Sequence, residues 1–577
     1  MQTNDRGFTL LGLAMIGACT LVYLCSWHIP LMEIDAIQYA NISREMLRTG
    51  HYLQVFDQGR DYLDKPPMLF WLSSLSMRIF GVSDAAYRFP SFLFALIAIY
   101  STYRLALLFY VRQIAILSAI VLASCEAMFL INHDVRTDTM LMGWVTLTLW
   151  QLAAWYRTGS WKNLLAASVA IAGGMMTKGP LALMVPAFCF GTHFLLKRNY
   201  RQFFRWEYIP MLLIVAVLLI PMCIGLYEQY DLHPGKVIDG LTIRSGLRFF
   251  FWTQSFGRVT GESQWHENDS FFFLFQNMLW SFLPWIIFWV IGVVQDIRQW
   301  SRNKEWITTG GFLVTYCALG MSHYQLPHYI FVVFPLAAIT SAKAFYRIFL
   351  AGAPEGAAQP APVKGSRALF VVHVVIFGLL WVALLLLLVW PFPSLGHWVL
   401  GGVAAVAAGG WVYLLVRRRG VGGAEGGGPG ERGGGQGRRL LLLTIYTIVG
   451  INLFLDLGFY PAVLDYQLGS VITKYIREQH IAPDQLYPYK MDEERALDFY
   501  TDHLYQHVDD PSMLAPGAYI LTNQKGLDSL EADPRLAPQF AQVYKGGYFH
   551  VSTLDLPFLN PATREKELTP VYILRRN

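Results

Sequence analysis

Four polar stretches in this chain have the residue types of group-transfer chemistry. The first runs from Glu33 to Pro67. It holds two carboxylates at its start, Glu33 and Asp35, then an amphipathic run, Tyr39-Ala-Asn-Ile-Ser-Arg-Glu-Met-Leu47, and it closes on Asp64-Lys65-Pro66-Pro67. Asp35 follows an apolar segment by only a few residues, and a carboxylate held there can deprotonate or orient a hydroxyl acceptor. It could equally be a solvated cap for the helical run from Ala36 to Leu47. The two prolines fix the backbone and place Lys65 at the start of the next helix, where its ammonium can neutralise a phosphate. An interfacial anchor lysine is the plainer alternative.

The second stretch, Asn132-His133-Asp134-Val-Arg136-Thr-Asp138, ends one apolar segment and opens another. Ionisable groups at that depth line a cavity or a polar path, which marks Asp138; an Arg136–Asp134 pair holding a loop explains the rest. The third, Thr177-Lys178-Gly179-Pro180, offers a second lysine or a simple helix break. In the fourth, Arg258 precedes Glu262 and His266; imidazole and carboxylate suit a divalent metal ion, with Asp64 as a further ligand. Glu126, inside an apolar run, reads as a hydrogen-bond partner for a neighbouring helix, and His503 and His507 read as surface residues.

The elements that must hold these groups are membrane helices. At 577 residues, 54% hydrophobic and only 15% charged, with mean hydropathy +0.36, the chain is too apolar for a soluble protein. A spanning helix needs roughly 20 apolar residues. Thirteen candidates centre near Ala18, Ile97, Leu122, Val145, Ser168, Val185, Val215, Pro284, Val314, Phe334, Leu379, Val406 and Val449. The first, from about Phe8 to Pro30, is too long for a signal-peptide core and reads as an uncleaved span. The six cysteines lie in or beside apolar segments, with no CxxC pair and no disulfide framework.

Alternate loops are rich in Lys and Arg: Arg112; Arg157 and Lys162; Lys197 to Arg205; Arg298 to Lys304; Lys364 and Arg367; and Arg417 to Arg439. That alternation puts the N-terminus inside and requires a helix break at Lys178. Residues 417–439, rich in Gly and Arg, read as a flexible cytoplasmic linker. On the outer face lie the hairpin 33–67, Asn132 to Asp138, Lys178, the loop 228–270, Ser322 to Tyr329 and everything after Tyr460. The carboxylates and motifs therefore share one side. Residues 459–577 read as a separate soluble α/β domain, with a helix over Tyr466–Gln479, strands at Gln485–Tyr489, Ala518–Thr522, Ala541–Tyr544 and Val571–Leu574, and a helix at Leu527–Glu531. From Gly458 onward the chain has 11 Lys and Arg against 16 Asp and Glu, so the excess base sits in the membrane part. Positive loops explain it without a nucleic-acid partner.

The ordered motifs of residues 8–460 resemble the GT-C glycosyltransferases that use polyprenyl-phosphate sugars, the lipid A aminoarabinose transferases and protein O-mannosyltransferases. Asp35-Ala-Ile-Gln38-Tyr39-Ala-Asn-Ile-Ser-Arg-Glu-Met is close to that family's Asp-Glu-x-Arg-Tyr-Ala-Glu-Ile-x-Arg-Glu-Met. The likeness continues in Tyr62-Leu-Asp64-Lys65-Pro-Pro, Arg136-Thr-Asp138, Met176-Thr-Lys-Gly-Pro180 and Gln325-Leu-Pro-His-Tyr329. The family's second acid is Ala36 here, its arginine is Gln38, and its Glu before the lysine is Asp64.

The resemblance implies a membrane domain over 1–458 and an inverting sugar transfer from a polyprenyl-phosphate carrier on the periplasmic face of a bacterial inner membrane. The acceptor would be lipid A or another envelope glycolipid, or alternatively a secreted protein. In it Asp35 and Asp138 would be catalytic, and Lys65, Lys178 and Arg258 would hold the carrier phosphate. Tyr39 and Tyr329 would contact sugar or acceptor, and Asp64 and His266 would hold any divalent metal. A transporter or flippase is the rival reading; it predicts charges spread through the membrane depth or an internal repeat of broken helices, and neither is visible.

Overall fold

A computed structural model describes residues 2–33, 35–238, 240–254, 257–260, 270–351, 365–417, 429–491 and 495–577. Ten helices account for the first 226 residues: α1 (Gln2–Cys25), α2 (Asp35–Thr49), α3 (Met68–Phe80), α4 (Asp84–Phe109), α5 (Arg112–Ala123), α6 (Glu126–His133), α7 (Thr137–Thr158), α8 (Trp161–Lys178), α9 (Leu181–Leu196) and α10 (Tyr208–Leu226). Helices follow at Phe273–Ser281, Ile286–Arg298, Thr309–Gly320, Phe334–Phe345, Ser366–Val389, Leu395–Val416 and Pro429–Phe454. Twelve of the thirteen expected centres fall on helices, and Pro284 falls between two. Among the described residues seven helices are long and apolar enough to cross a membrane, eight if the bent pair α5–α6 counts as one span. The chain is an integral membrane protein. Residues 418–428 of the expected linker lie outside the described residues, and from Pro429 the backbone is already helical, so the linker is shorter than composition suggested.

Two local rules set the geometry around the site. Gly143 lets α7 lie against α4, since a Cβ there would stand 2.7 Å from the Phe94 carbonyl oxygen. Gly179 takes φ +77° and Pro180 follows, so α8 stops at Lys178 and α9 restarts at Leu181. The ammonium thus sits on the last turn of a helix whose partners α7 and α9 flank it.

After α1 the chain turns through α2 and a tight hairpin, β1 (Phe56–Asp57) antiparallel to β2 (Arg60–Asp61), before entering α3. A second hairpin, β3 (Lys236–Ile238) with β4 (Leu241–Ile243), follows α10. The C-terminal residues build a four-stranded sheet in the order β5 (Leu486–Tyr489), β6 (Tyr519–Asn523), β8 (Thr569–Arg576), β7 (Phe540–Tyr548). The β5–β6 pair is parallel and the rest are antiparallel. Helices Leu468–Glu478, Arg495–Thr501 and Gln524–Ala532 accompany this sheet. All four strands fall on the strand-like runs of the sequence; β6 and β8 are buried on both faces, Leu521, Val571 and Ile573 in one core and Ile520, Tyr572 and Leu574 in the other.

Candidate active site

Each end of the 33–67 hairpin brings one ionic group to the site. Asp35 is the first residue of α2, and its Oδ2 accepts from Arg136 Nη1 at 2.6 Å; Arg136 Nε also holds Asp134 Oδ2 at 2.9 Å. The internal Arg136–Asp134 pair expected from sequence exists, but the same guanidinium reaches Asp35 as well. Burial alone would lower the Arg136 pKa, yet the carboxylates of Asp134 and Asp35 hold it above its ordinary value, so it stays cationic. At the hairpin's other end Lys65 Nζ lies 2.6 Å from Asp64 Oδ2. Gln254 donates to the Asp64 backbone carbonyl and, at 3.1 Å, to Oδ1.

A third ionic group sits beneath these two. Lys178 Nζ lies 2.6 Å from Asp138 Oδ1, and His328 Nε2 stands 3.5 Å from the buried Oδ2, which accepts no hydrogen bond among the described residues. Lys178 also lies over the Tyr329 ring, 4.1 Å from its centroid, a cation–π contact that holds the ammonium from its apolar side. Lys65 and Lys178, although 113 positions apart in sequence, line one cleft of about 110 Å³ with Pro66, Gln254, Ser322 and Tyr329. The opposite wall is apolar: Leu181, Met184 and Phe188 of α9 face Thr315, Ala318 and Leu319. An apolar slot ending in two ammonium groups suits an amphiphile with an anionic head.

Most of the site residues expected from sequence converge. Asp35, Asp64, Lys65, Asp138, Lys178 and Tyr329 meet around the hairpin and cleft. Tyr39 is a correction: it is 2% exposed, its ring packs edge-on against Phe70 in the core under α2, and it does not line the cleft. It follows Asp35 by one turn of α2, but α3 covers its ring. Burial, then the charges of Tyr62, Asp35 and Asp64, push its phenol well above the usual range, so it is neutral. The side chain of Arg258, and Glu262 and His266 entirely, lie outside the described residues.

The metal site expected on Asp64 and His266 has one described ligand, and Asp64 is engaged by Lys65 and Gln254. Among the described residues no group of three or more His, Cys, Asp or Glu could hold a metal ion. No step below passes through one. Glu126 accepts from Asn452 Nδ2 at 3.1 Å, the interhelical role expected of it, and His503 packs edge-on against Tyr505.

Sequence reasoning missed His328, Arg136 as a partner of Asp35, and Gln254. His328 sits inside the Gln325–Tyr329 motif, so its signal was present but went unassigned. The Arg136–Asp35 pairing spans 101 positions and left no local trace.

Comparison with known proteins agrees with this geometry. Residues 64–224 match the family described as dolichyl-phosphate-mannose-protein mannosyltransferase. The undecaprenyl phosphate-alpha-4-amino-4-deoxy-L-arabinose arabinosyl transferase of Yersinia pestis (strain Pestoides F) is 27% identical over 290 residues, 49% of each chain. That of Erwinia tasmaniensis is 27% identical over 343 residues, 55% of this chain and 57% of its own. The chain thus spans about half the length of the curated relatives it matches. Crystal structures of ArnT from Cupriavidus metallidurans superpose with TM-scores of 0.70 bound to undecaprenyl phosphate and 0.69 in the apo state. Both are 18% identical; the first covers 98% of each chain, the second 93% of this chain and 96% of its own. The chain therefore has the ArnT fold, and its residues 64–224 are similar to the mannosyltransferase family.

Proposed function

We propose that this protein is an integral membrane glycosyltransferase that moves a sugar from a polyprenyl-phosphate carrier to lipid A or another envelope glycolipid, with inversion. The observation that carries this reading is the cleft that joins Lys65 and Lys178 to an apolar wall. A lipid tail fits the wall and its phosphate meets the two cations. In a single displacement the bond between the anomeric carbon and the phosphate oxygen breaks as the acceptor oxygen attacks from the opposite side. The electron pair leaves on the lipid phosphate, whose growing negative charge Lys65 and Lys178 offset. Asp35, oriented by Arg136, takes the acceptor hydroxyl proton or, where the acceptor is itself a phosphate, steers it. Asp138, whose Oδ1 meets Lys178, supports the sugar or acceptor hydroxyls from behind that lysine, and the Tyr329 face borders the cleft.

The curated relatives carry undecaprenyl phosphate-aminoarabinose in their names, which favours that donor class. The mannosyltransferase match over residues 64–224 favours the second reading, a secreted-protein acceptor. Lipid A and glycoprotein mass spectra of a deletion strain and its parent separate the two: loss of a sugar from lipid A alone supports the first, loss from proteins alone overturns it.

The reading includes thirteen spans in the inner membrane with the hairpin and a soluble 459–577 domain on the periplasmic face, supported by the basic loops on the other side. In a cysteine-free background, single cysteines at Gln58 and Asp528 should react with an impermeant maleimide in spheroplasts while one at Gly427 stays protected. The reverse pattern overturns the topology.

A further inference from the structure

The polar face of α2 is held by the C-terminal domain along its whole length. Gln38, Asn41, Arg44, Glu45 and Arg48 recur at three- and four-residue spacing, one stripe of the helix, and Asp35 is the next member of that stripe toward the N-terminus. Gln38 Nε2 donates to Asp57 Oδ2 at 2.7 Å, and Arg495 Nη2 holds the same oxygen at 3.1 Å. Asn41 donates to the Arg495 carbonyl at 2.5 Å, Arg44 to the Asp498 carbonyl, and Arg48 pairs with Asp502 Oδ1 at 2.5 Å. Glu45 accepts the Gly59 amide at 2.9 Å, and Gln58 in the same turn donates to Asp498 Oδ2 at 2.5 Å. Phe499 and Ala496 pack with the apolar residues of α2 in one core. Gln467 and Tyr500 take hold just before the helix starts, on the amides of Glu33 at 2.8 Å and Leu31 at 2.7 Å.

These contacts fix the rotation and axial register of the helix that begins with Asp35. A catalytic group must be held within about 0.5 Å or 10–20° of its working geometry by residues outside the reacting shell. The apolar side of α2 shares a core with α3 and α4, while among the described residues the polar stripe finds its partners in Asp57 and Gly59 of the hairpin and in residues 495–502. The guanidinium at the Gln38 position, where the resembled motif has an arginine of its own, comes from Arg495.

We propose that helix Arg495–Thr501 of the C-terminal domain is a positioning element of the active site, with Arg495 as its principal residue. It acts through Asp57 and α2 to set the Asp35 carboxylate on Arg136. This rests on the catalytic role proposed for Asp35. The donor cleft, built from α8, α9 and the Lys65 turn, is not touched by these contacts, so positioning and donor binding separate.

In the full-length enzyme, Arg495→Gln should lower turnover about tenfold at saturating undecaprenyl phosphate-aminoarabinose and lipid A. Its affinity for undecaprenyl phosphate should stay within twofold of parent, and Arg495→Lys should recover part of the loss. Gln58→Ala, which leaves the Arg495–Asp57 pair intact, should give a smaller loss of the same kind. Amide exchange over residues 35–49, which needs no substrate, should quicken in Arg495→Gln. Parental turnover, a parallel fall in carrier affinity, or unchanged exchange over 35–49 would each overturn the proposal. The functional reading fails differently: a parent enzyme that binds undecaprenyl phosphate and transfers no sugar refutes the reaction, while the exchange measurement still decides the positioning role.

Discussion

Two of the carboxylate–lysine clusters among the described residues are indistinguishable by pair distance alone. On the motif-bearing side Lys178 meets Asp138 at 2.6 Å; far from those motifs Lys343 meets Asp296 at 2.5 Å and Glu305 at 3.9 Å. They differ in what is left over. Asp296 also accepts from Thr309, Glu305 accepts from Thr308 and Tyr110, and Lys343, Asp296 and Glu305 are each no more than 1% exposed. That cluster is complete and closed. Around the hairpin Asp35 is 34% exposed and Asp64 39%, Asp138 keeps one oxygen without a hydrogen bond among the described residues, and both lysines line open space. A buried ion pair by itself is weak evidence of anything; incomplete satisfaction beside a cleft is what marks a site.

The comparison is broken first at Asp35. Asp35→Asn should lower turnover by about 10³-fold, within the range for loss of a general base, with normal expression and melting temperature. Near-parental turnover removes Asp35 from the mechanism. The closed cluster should behave in the opposite sense: Lys343→Met strands two buried carboxylates and should destabilise the protein by about 3–5 kcal/mol, with the specific activity of the folded fraction unchanged. A fall in specific activity with unchanged stability would erase the distinction between the clusters.

Lys65→Met keeps the apolar stem and removes the charge. It should lose about 2–4 kcal/mol of transition-state stabilisation at saturating carrier, by analogy with lost oxyanion donors, and Lys65→Arg should recover part of it. If both variants turn over like the parent, Lys65 is an interfacial anchor and the cleft's cation is Lys178. The smallest effect belongs to Glu45, a carboxylate outside both clusters whose pKa burial raises above 4.5. The folded state then binds its proton more tightly than the unfolded state. Its stabilising contribution is complete below about pH 4.5 and is lost as pH rises through the folded value. Glu45→Gln should flatten the melting-temperature profile in that window; an unchanged profile refutes the shift.

The legible parts of this molecule are those written in local spacing. The helical run after Asp35, the break forced by Gly179–Pro180 and the four short apolar strands were all readable, because a 3.6-residue period, a proline and a bounded apolar run act within a few residues. The pairing of Asp35 with Arg136, the turn of His328 toward Asp138 and the closed Lys343 cluster were not. Spacing tells which face of a helix a side chain occupies, but the neighbour that meets that face is chosen by packing over hundreds of residues. Tyr39 shows the same limit: it follows Asp35 by one helical turn, yet its ring is covered by Phe70 of α3, a neighbour that helical spacing does not name. The C-terminal domain offered no motif because its part is played through backbone carbonyls as much as side chains, and carbonyls have no sequence signature.

The grip of residues 495–502 on α2 also orders events in time. The carbonyl that receives Asn41 is supplied 454 residues later in the chain. At synthesis rates of about 5–20 residues per second, the helix bearing Asp35 waits about 20–90 s for its partner to be made. A nascent protein therefore inserts its lipid-facing helices well before Asp35 is aligned. On the proposed reaction, chemistry would start only when the last domain has docked, and an unfinished chain would not squander activated sugar on water.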